Sequence, residues 1–295
     1  MAVITIIGSG RIGDALYKTL TVREDHDVRM WDVDPTKLEI PMTLEESLRD
    51  SAYVLMCVSS WALKAACDEI ASYIDDDTKV IALTKGIEPT THLFVNEYLE
   101  TRFPGRYALL IGPMIAEEMD GEKPSVALCA TEHVWDENIF EGTALTALFT
   151  TDITGTALSG ILKNVYALGL GITDALNLGQ NFKASFAVRA IHEMEQIIVS
   201  LGGKKETVYS FAGLGDLIVT GWSPTSRNRT LGEKIAKEGV EVLKGGEGSE
   251  GMQSIVHLAR RIKGGIPPLY SVVLDIIEGQ EKQPRERFMK VVQEG

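Results

Sequence analysis

The chain has 295 residues, 44% of them apolar and 24% charged, and a formal net charge of −13. That length is enough for two domains with separate cores. The acidic balance argues against broad nucleic-acid binding, which needs a basic face to neutralise phosphates. No apolar run reaches the roughly 18 residues that a membrane span requires, and "AVITIIG" at the N-terminus is better explained as a first strand than as a targeting signal. The three cysteines have neither metal-ligand spacing nor an even disulfide framework. We therefore expect a cytoplasmic globular protein with no bound metal.

The first half of the chain alternates short β-branched runs with helical patterns. Helices such as "DALYKTL" and "WALKAACDEIASYI" separate some of the predicted strands, which are "VITIIG", "DVRMWDVD", "SAYVLMCVSS", "TKVIALTKG" and "YALLIGP". Continuous apolar strands of this kind suit a parallel sheet covered on both faces. The right-handed crossover rule then predicts a doubly wound α/β domain over residues 1–153.

The pattern changes after about residue 153. Four long segments have helical periodicity, and several end at glycine: "LSGILKNVYALGLGITDAL", "NFKASFAVRAIHEMEQIIVSLGG", "RTLGEKIAKEG" and "MQSIVHLARRIKGG". We predict an all-α domain over residues 154–295.

The segment "IIGSGRIGDAL" places Gly8, Gly10 and Gly13 directly after the first strand and at the start of a helix. In a Rossmann domain the first glycine makes the tight turn, the second lets a pyrophosphate approach, and the third permits close helix packing. The N–H groups of the helix N-terminus then face the phosphates. The loop, with Ser9, Arg11 and Ile12 between the glycines, therefore predicts a dinucleotide site; the alternative is a plain strand-to-helix turn.

Asp32 follows Gly13 by 19 residues, at the end of the second predicted strand. An acidic side chain at this place bonds the adenosine ribose hydroxyls, and Asp34 would take that role if the strand ended later. Arg11 could instead assist the pyrophosphate or a 2′-phosphate. The pattern favours NAD, with NADP as the alternative.

The helix "SGILKNVYALGLG" is apolar on almost every face, which is typical of a buried helix. Lys163 lies inside it, and a buried lysine is costly unless it is paired or deprotonated. A lysine that snorkels to the surface is the alternative. The functional interpretation is a general acid or base, with Asn164 as a neighbouring hydrogen-bonding group and Asp216 of "AGLGDL" as the partner.

The segment "GDLIVTGWSPTSRNR" places two arginines around an asparagine in an acidic chain. Arg227, Asn228 and Arg229 are either ordinary surface residues or part of a local anion site. Arg227 offers a planar fork for a phosphate dianion, and Asn228 adds amide donors. We expect Arg229 to be a surface residue, because one helical or turn step directs its side chain away from the candidate anion site.

The chain resembles the bacterial type of NAD(P)-dependent sn-glycerol-3-phosphate dehydrogenase. The similar segments occur in family order over nearly the whole length: "GSGRIG", "TKGIE", "IGPMIAEEM", "LKNVYALGLGITDALNLGQNFKA", "AGLGDLIVTGWSPTSRNRTLG" and "GSEGMQS". The resemblance implies reversible hydride transfer between sn-glycerol 3-phosphate and dihydroxyacetone phosphate, which would feed glycerolipid synthesis. The resemblance is also compatible with assembly as a homodimer.

The resemblance also implies roles for individual residues. Lys163 would be the catalytic lysine. The residues implied to contact the small phosphorylated substrate are Lys85, Gly112, Asp216, Ser226, Arg227 and Asn228, with Thr220 nearby. Those implied to touch the cofactor, besides the glycine loop, are Ala116, Arg227 and Glu250.

Three positions depart from the family pattern. Ile12 stands where an aromatic residue is usual, Met114 where serine is usual, and Gln180 where aspartate is usual. Two other functions remain open on the sequence: a β-hydroxyacid dehydrogenase, which would need a carboxylate clamp, and a cofactor-sensing protein without turnover. Retention of Lys163, Asp216 and Arg227 together argues against the sensor.

Overall fold

A computed structural model describes residues 2–120, 122–132, 135, 138–245 and 249–294 of the chain. Three residues that bound predicted segments lie outside these ranges. They are Met1 and Gly295, at the outer ends of the two predicted domains, and Gly248, at the start of "GSEGMQS". The chain divides into two compact units, Met1–Ile153 and Thr154–Gly295. Within the described ranges, no helix is both long and apolar enough to cross a membrane.

The described part of the first unit contains a seven-stranded sheet with the spatial order β2-β1-β3-β4-β5-β6-β7. The strands are β1 (Ala2–Ile7), β2 (His26–Trp31), β3 (Tyr53–Met56), β4 (Lys79–Ala82), β5 (Tyr107–Ile111), β6 (Ser125–Ala130) and β7 (Leu145–Thr150). The first five run parallel, with Ile4 opposite both Val28 and Tyr53. Strand β6 is antiparallel to β5, and β7 is parallel to β6.

Helices cover both faces of this sheet. They are α1 (Arg11–Thr21), α2 (Leu44–Leu48), α3 (Ser60–Ile70), α4 (Val95–Arg102) and α5 (Ala116–Asp120), with a short 3-10 turn at Pro35–Lys37. The chain leaves β1 towards β2 on one side and continues from β3 to β5 on the other. Right-handed crossovers therefore place α1 on one face and α3 and α4 on the opposite face. The predicted doubly wound domain is confirmed, and β6 and β7 are additional strands that the sequence analysis missed.

The described residues of the second unit form helices joined by short connections. These are α6 (Ile153–Ala175), α7 (Gln180–Ser200), α8 (Lys205–Val208), α9 (Asp216–Trp222), α10 (Arg227–Glu238), α11 (Glu250–Ala259), α12 (Pro268–Ile277) and α13 (Pro284–Glu294). A π-helical turn at Phe211–Gly215 precedes α9, and a 3-10 turn at Val240–Gly245 follows α10. The predicted all-α character is confirmed.

Helices α6 and α10 touch through their backbones. A Cβ atom added to Gly171 of α6 would lie 1.9 Å from the carbonyl oxygen of Arg229, and one added to Gly232 of α10 would lie 2.1 Å from that of Leu168. Both distances are far below van der Waals contact, so only glycine fits at either position. The two glycines hold the first turn of α10 against the middle of α6.

A buried carboxylate joins three helices of the same unit. Glu193 of α7, only 3% exposed, accepts hydrogen bonds from the backbone N–H groups of Leu269 (2.6 Å) and Tyr270 (2.8 Å) at the start of α12. It also accepts the hydroxyl of Tyr166 on α6 at 2.9 Å. Burial raises the pKa of the Glu193 carboxyl, although these hydrogen bonds act in the opposite direction. Glu193 thereby fixes the start of α12 against α6 and α7.

Candidate active site

The glycine loop lies at the carboxyl end of β1, where the strand order reverses. Ligands of open α/β sheets bind at such a switch point. Gly8 has a φ of 103°, and a Cβ on it would lie 2.9 Å from the carbonyl oxygen of Cys57. A Cβ on Gly13 would lie 2.0 Å from the carbonyl oxygen of Gly8, whereas one on Gly10 would have no described neighbour within 4 Å. The loop is therefore closed on the protein side and open above Gly10, which fits a dinucleotide pyrophosphate.

Asp32 lies directly after β2 and contacts the glycine loop. Its Oδ2 atom accepts the backbone N–H and the hydroxyl of Ser9, both at 2.9 Å, and its Oδ1 atom accepts the N–H of Asp34 at 2.9 Å. Burial alone would raise the pKa of the Asp32 carboxyl, but the donors from Asp34 and Ser9 hold it below its usual value. Asp32 is thus an ionised acceptor beside the glycine loop, where the sequence predicts a ribose contact.

Arg11, at the start of α1, forms an exposed ion pair with Glu117 of α5 at 2.6 Å. The side chain that could have reached a 2′-phosphate or a pyrophosphate is therefore engaged by a carboxylate of its own unit. Ile12, Met114 and Ala116 are partly buried and pack against the hydrophobic core of this unit. Ile12 and Met114, which depart from the family pattern, therefore contribute to the apolar packing of the first unit.

Two further predicted residues follow neighbouring strands at the same edge of the sheet. Lys85 lies three residues beyond the end of β4 and is partly buried, and Gly112 directly follows β5. Because β1, β2, β4 and β5 are parallel, their carboxyl ends share one edge. This edge therefore carries the glycine loop, Asp32, Lys85 and Gly112.

In the helical unit, Lys163 lies on α6 with its side chain 8% exposed. Its Nζ atom is 3.2 Å from Oδ1 of Asp216 and donates to the hydroxyl of Thr220 at 2.9 Å. The Thr220 hydroxyl in turn donates to Asp216 at 3.2 Å. The snorkelling alternative is therefore wrong: the ammonium stays buried and has a carboxylate partner.

The local fold around Asp216 explains this arrangement. Asp216 is the first residue of α9, directly after the π-helical turn, a feature that is frequent at functional sites. Thr220 follows four residues later, and side chains at this spacing lie on the same helix face. The turn and the helix together direct one carboxylate and one hydroxyl at the lysine.

Asn164, beside Lys163, pairs with Asn228 of α10. The Asn228 amide donates to Oδ1 of Asn164 at 2.9 Å, and its own oxygen accepts the N–H of Gly251 at 3.1 Å. Glu250, the first residue of α11, is partly buried beside Gly251. The start of α11 is thereby joined to α6 and α10 next to the lysine.

The two arginines of "SRNR" have opposite surroundings. Ser226 caps α10 by accepting the N–H of Arg229 at 3.3 Å, and Arg227, the first residue of the helix, is exposed. Among the described residues, the Arg227 side chain has no hydrogen-bond or ion-pair partner. A guanidinium at a helix N-terminus with no partner in the described ranges is suited to bind a dianion.

The prediction that Arg229 is a surface residue is wrong. Its side chain is only 16% exposed, and it pairs with Asp174 at 2.9 Å and with Glu233 at 2.6 Å. Asp174 also binds Lys183 at 2.7 Å, whose ammonium lies 4.9 Å from the ring centre of Trp222. The second arginine therefore holds α10 to α6 instead of facing solvent.

Sequence reasoning also missed the buried pair of Glu193 and Tyr166 and the Asp174–Lys183 pair. The sequence did contain a pattern from which the burial of Glu193 could have been predicted. Glu193 lies among Ala190, Met194 and Ile197, whose helical spacing marks the buried face of α7. An acidic residue on such a face needs donors, and the start of another helix supplies them.

Comparisons with known proteins agree with this architecture. Residues 33–135 match the family model for the N-terminus of NAD-dependent glycerol-3-phosphate dehydrogenase, and residues 152–288 match the model for its C-terminus. A glycerol-3-phosphate dehydrogenase [NAD(P)+] of Clostridium acetobutylicum is 31% identical over 264 residues, covering 80% of this chain and 79% of the relative. One from Corynebacterium glutamicum is 30% identical over 302 residues, with 90% and 91% covered.

Solved structures share the fold. The glycerol-3-phosphate dehydrogenase of Coxiella burnetii superposes with a TM-score of 0.84 at 24% identity, covering 99% of both chains. The yeast enzyme gives a TM-score of 0.80 at 20% identity, also covering 99% of both chains. A D-mandelate dehydrogenase is more distant, with a TM-score of 0.64 at 14% identity over 98% of this chain and 99% of that one. On its sequence relatives, the chain belongs to the NAD(P)-dependent glycerol-3-phosphate dehydrogenase family.

Proposed function

We propose that the protein catalyses reversible hydride transfer between C2 of sn-glycerol 3-phosphate and a nicotinamide cofactor, interconverting glycerol 3-phosphate and dihydroxyacetone phosphate. The observation that carries this proposal is the buried Lys163, held by Asp216 and Thr220. The family relationship supports this activity over the two other functions that the sequence left open. We further propose that the protein acts in the cytoplasm, where the product would enter glycerolipid synthesis, and that it assembles as a homodimer.

Lys163 supplies the proton chemistry. When the alcohol is oxidised, the neutral amine form of Lys163 takes the C2 hydroxyl proton and becomes the ammonium; in reduction, the ammonium polarises the carbonyl, gives the proton to its oxygen and returns to the neutral amine. The Asp216 carboxylate stabilises the positive charge of the buried Lys163 ammonium. The hydroxyl of Thr220 accepts one of its N–H groups and so restricts the orientation of the ammonium. Asn164 offers a neighbouring amide for the substrate. Bound NAD(P) supplies the hydride acceptor or donor.

The substrate phosphate is assigned to the first turn of α10. Arg227 is exposed without a partner among the described residues, and Ser226 and Asn228 flank it. The resemblance also implies substrate contacts for Lys85 and Gly112. This anchor fixes which carbon of a three-carbon substrate is presented for reaction, because binding energy at the phosphate is used to orient the reacting centre.

The cofactor is assigned chiefly to residues 1–153. The glycine loop, from Gly8 to Gly13 with Ser9, Arg11 and Ile12, would hold the pyrophosphate, and Asp32 the adenosine ribose. The resemblance implies cofactor contacts for Ala116, Arg227 and Glu250 as well. The open space above Gly10 and the ionised Asp32 support this assignment.

One assay tests the activity. Purified protein is mixed with NADH and dihydroxyacetone phosphate, and the loss of NADH absorbance is followed, with unphosphorylated dihydroxyacetone as the matched control. We expect oxidation with the phosphate and almost none without it. A folded protein that binds NADH but turns over neither substrate contradicts the proposal.

Cofactor preference gives a separate prediction. NADH is expected to exceed NADPH in kcat/KM, because the ionised Asp32 repels a 2′-phosphate and Arg11 is paired with Glu117. Asp32→Ala should lower kcat/KM for NADH by about one to two orders of magnitude, the scale of lost charge-assisted hydrogen bonds.

Asp34→Ala is the control for this prediction. The Asp34 side chain is 46% exposed and its carboxylate accepts from Thr36, so its removal should change kcat/KM little. A wild-type preference for NADPH would show that the 2′-phosphate finds a basic partner and that Asp32 has another role.

A further inference from the structure

The hydrogen-bonding capacity of Asp32 is nearly filled by the protein itself. A carboxylate offers about four lone-pair positions, two on each oxygen. Oδ2 already accepts the N–H and the hydroxyl of Ser9, and Oδ1 accepts the N–H of Asp34. The ammonium of Lys37 lies 3.5 Å from Oδ1. Only the position that Lys37 approaches remains for another donor.

The adenosine ribose of a dinucleotide brings two hydroxyl donors to an acidic residue at this place. Asp32 can take both only if one of its present donors leaves. The N–H groups of Ser9 and Asp34 belong to the backbone and cannot turn away without moving the loop or the strand end. The Ser9 hydroxyl can leave by rotation about a single bond.

We propose that the Ser9 hydroxyl occupies the ribose-binding position of Asp32 in the cofactor-free protein and that NAD(H) must displace it. Ser9 thus sets the affinity for the cofactor by competition, although it belongs to the loop that binds it. The side chain suits this role because Ser9 is 7% exposed, so water competes little for its hydroxyl. The inference rests on the proposed binding of NAD(H) by the first unit.

The competition discriminates between cofactors. A dinucleotide with a free 2′-hydroxyl needs two acceptor positions on Asp32, whereas a 2′-phosphorylated one has lost the 2′ donor and needs at most one. Removing the Ser9 hydroxyl should therefore favour NADH more than NADPH. The opposite result is expected if the hydroxyl relays a hydrogen bond from Asp32 to the ribose, because its loss would then weaken NADH binding.

The test compares Ser9→Ala and Ser9→Gly, which remove the hydroxyl, with Ser9→Thr, which keeps one. Dissociation constants are measured by NADH and NADPH fluorescence, and by calorimetry with ADP-ribose, which carries the same ribose but no nicotinamide. We expect Ala and Gly to tighten NADH and ADP-ribose about fivefold, the ratio that corresponds to one hydrogen bond of about 1 kcal/mol. NADPH should gain less, and Thr should remain close to wild type.

Unchanged or weaker NADH binding in both Ser9→Ala and Ser9→Gly overturns the inference. If wild type binds neither NADH nor ADP-ribose, the proposed cofactor site is wrong, and so is the inference built on it. The use of two variants separates loss of the hydroxyl from any change in loop conformation caused by either replacement alone.

Discussion

Replacing Lys163 by methionine is expected to lower kcat by about 10²-fold or more, the usual scale for loss of a general acid or base. Methionine keeps much of the volume inside α6 and removes the ammonium that pairs with Asp216 and Thr220. NADH binding, followed by fluorescence, should barely change, since the glycine loop and Asp32 lie in the first unit. Near-normal turnover would remove Lys163 from the mechanism.

The Lys163→Met variant must be compared with a double variant, because the Asp216 side chain is only 3% exposed and would lose its cation. An uncompensated buried charge typically costs about 3–5 kcal/mol of stability. We therefore expect a lower Tm for Lys163→Met and recovery of part of it in Lys163→Met/Asp216→Asn, in which the pair is neutral. Turnover should stay low in both variants, which separates lost chemistry from lost stability.

Replacing Arg227 by alanine is expected to weaken catalysis with dihydroxyacetone phosphate by about 3 kcal/mol in kcat/KM, the scale of a charge-assisted bond to a partly buried anion. Turnover of dihydroxyacetone, already very poor, should be nearly unchanged, so the gap between the two substrates narrows. Arg227→Lys should restore only part of the loss, because a point charge cannot copy the planar fork. NADH affinity is measured in parallel, since the same arginine is assigned to the cofactor.

The control for Arg227 must be a basic residue with no structural partner. Arg229 is unsuitable because its pairs with Asp174 and Glu233 hold α10 in place. Lys237 is suitable: it is exposed in the last turn of the same helix and its side chain has no partner among the described residues. Lys237→Ala should do little. Equal modest losses in Arg227→Ala and Lys237→Ala, for phosphorylated and unphosphorylated substrates alike, would place the phosphate elsewhere.

The sequence was sufficient to predict the five parallel strands β1 to β5, but not β6 and β7 at the far edge of the sheet. Strands β3, β4 and β5 are almost completely buried, so their apolar runs are continuous and distinctive. The first four residues of β7 alternate between buried and exposed along "LTAL", and "SVALCA" of β6 is a short apolar run that fits a strand or a helix. Periodicity alone does not decide such short segments.

The site was predictable where burial itself carried the signal. A lysine inside an apolar helix needs a partner wherever that partner lies, so Lys163 could be identified without the fold. Arg227 and Arg229 could not be told apart in that way. Residues two apart on a helix point about 200° apart, so one arginine faces inward, and which one depends on Asp174, 55 positions away in sequence.

The Glu193 contact changes how the start of α12 should exchange its amide protons with solvent. The first N–H groups of a helix normally have no acceptor and exchange quickly. Those of Leu269 and Tyr270 are bonded to a carboxylate, and both residues are fully buried. Their deuterium uptake should therefore be as slow as that of the middle of α6, because exchange requires the packing of α6, α7 and α12 to open. The amides just after the two prolines, where "IPPL" suggests a loop, would then report on unfolding of the helical unit as a whole.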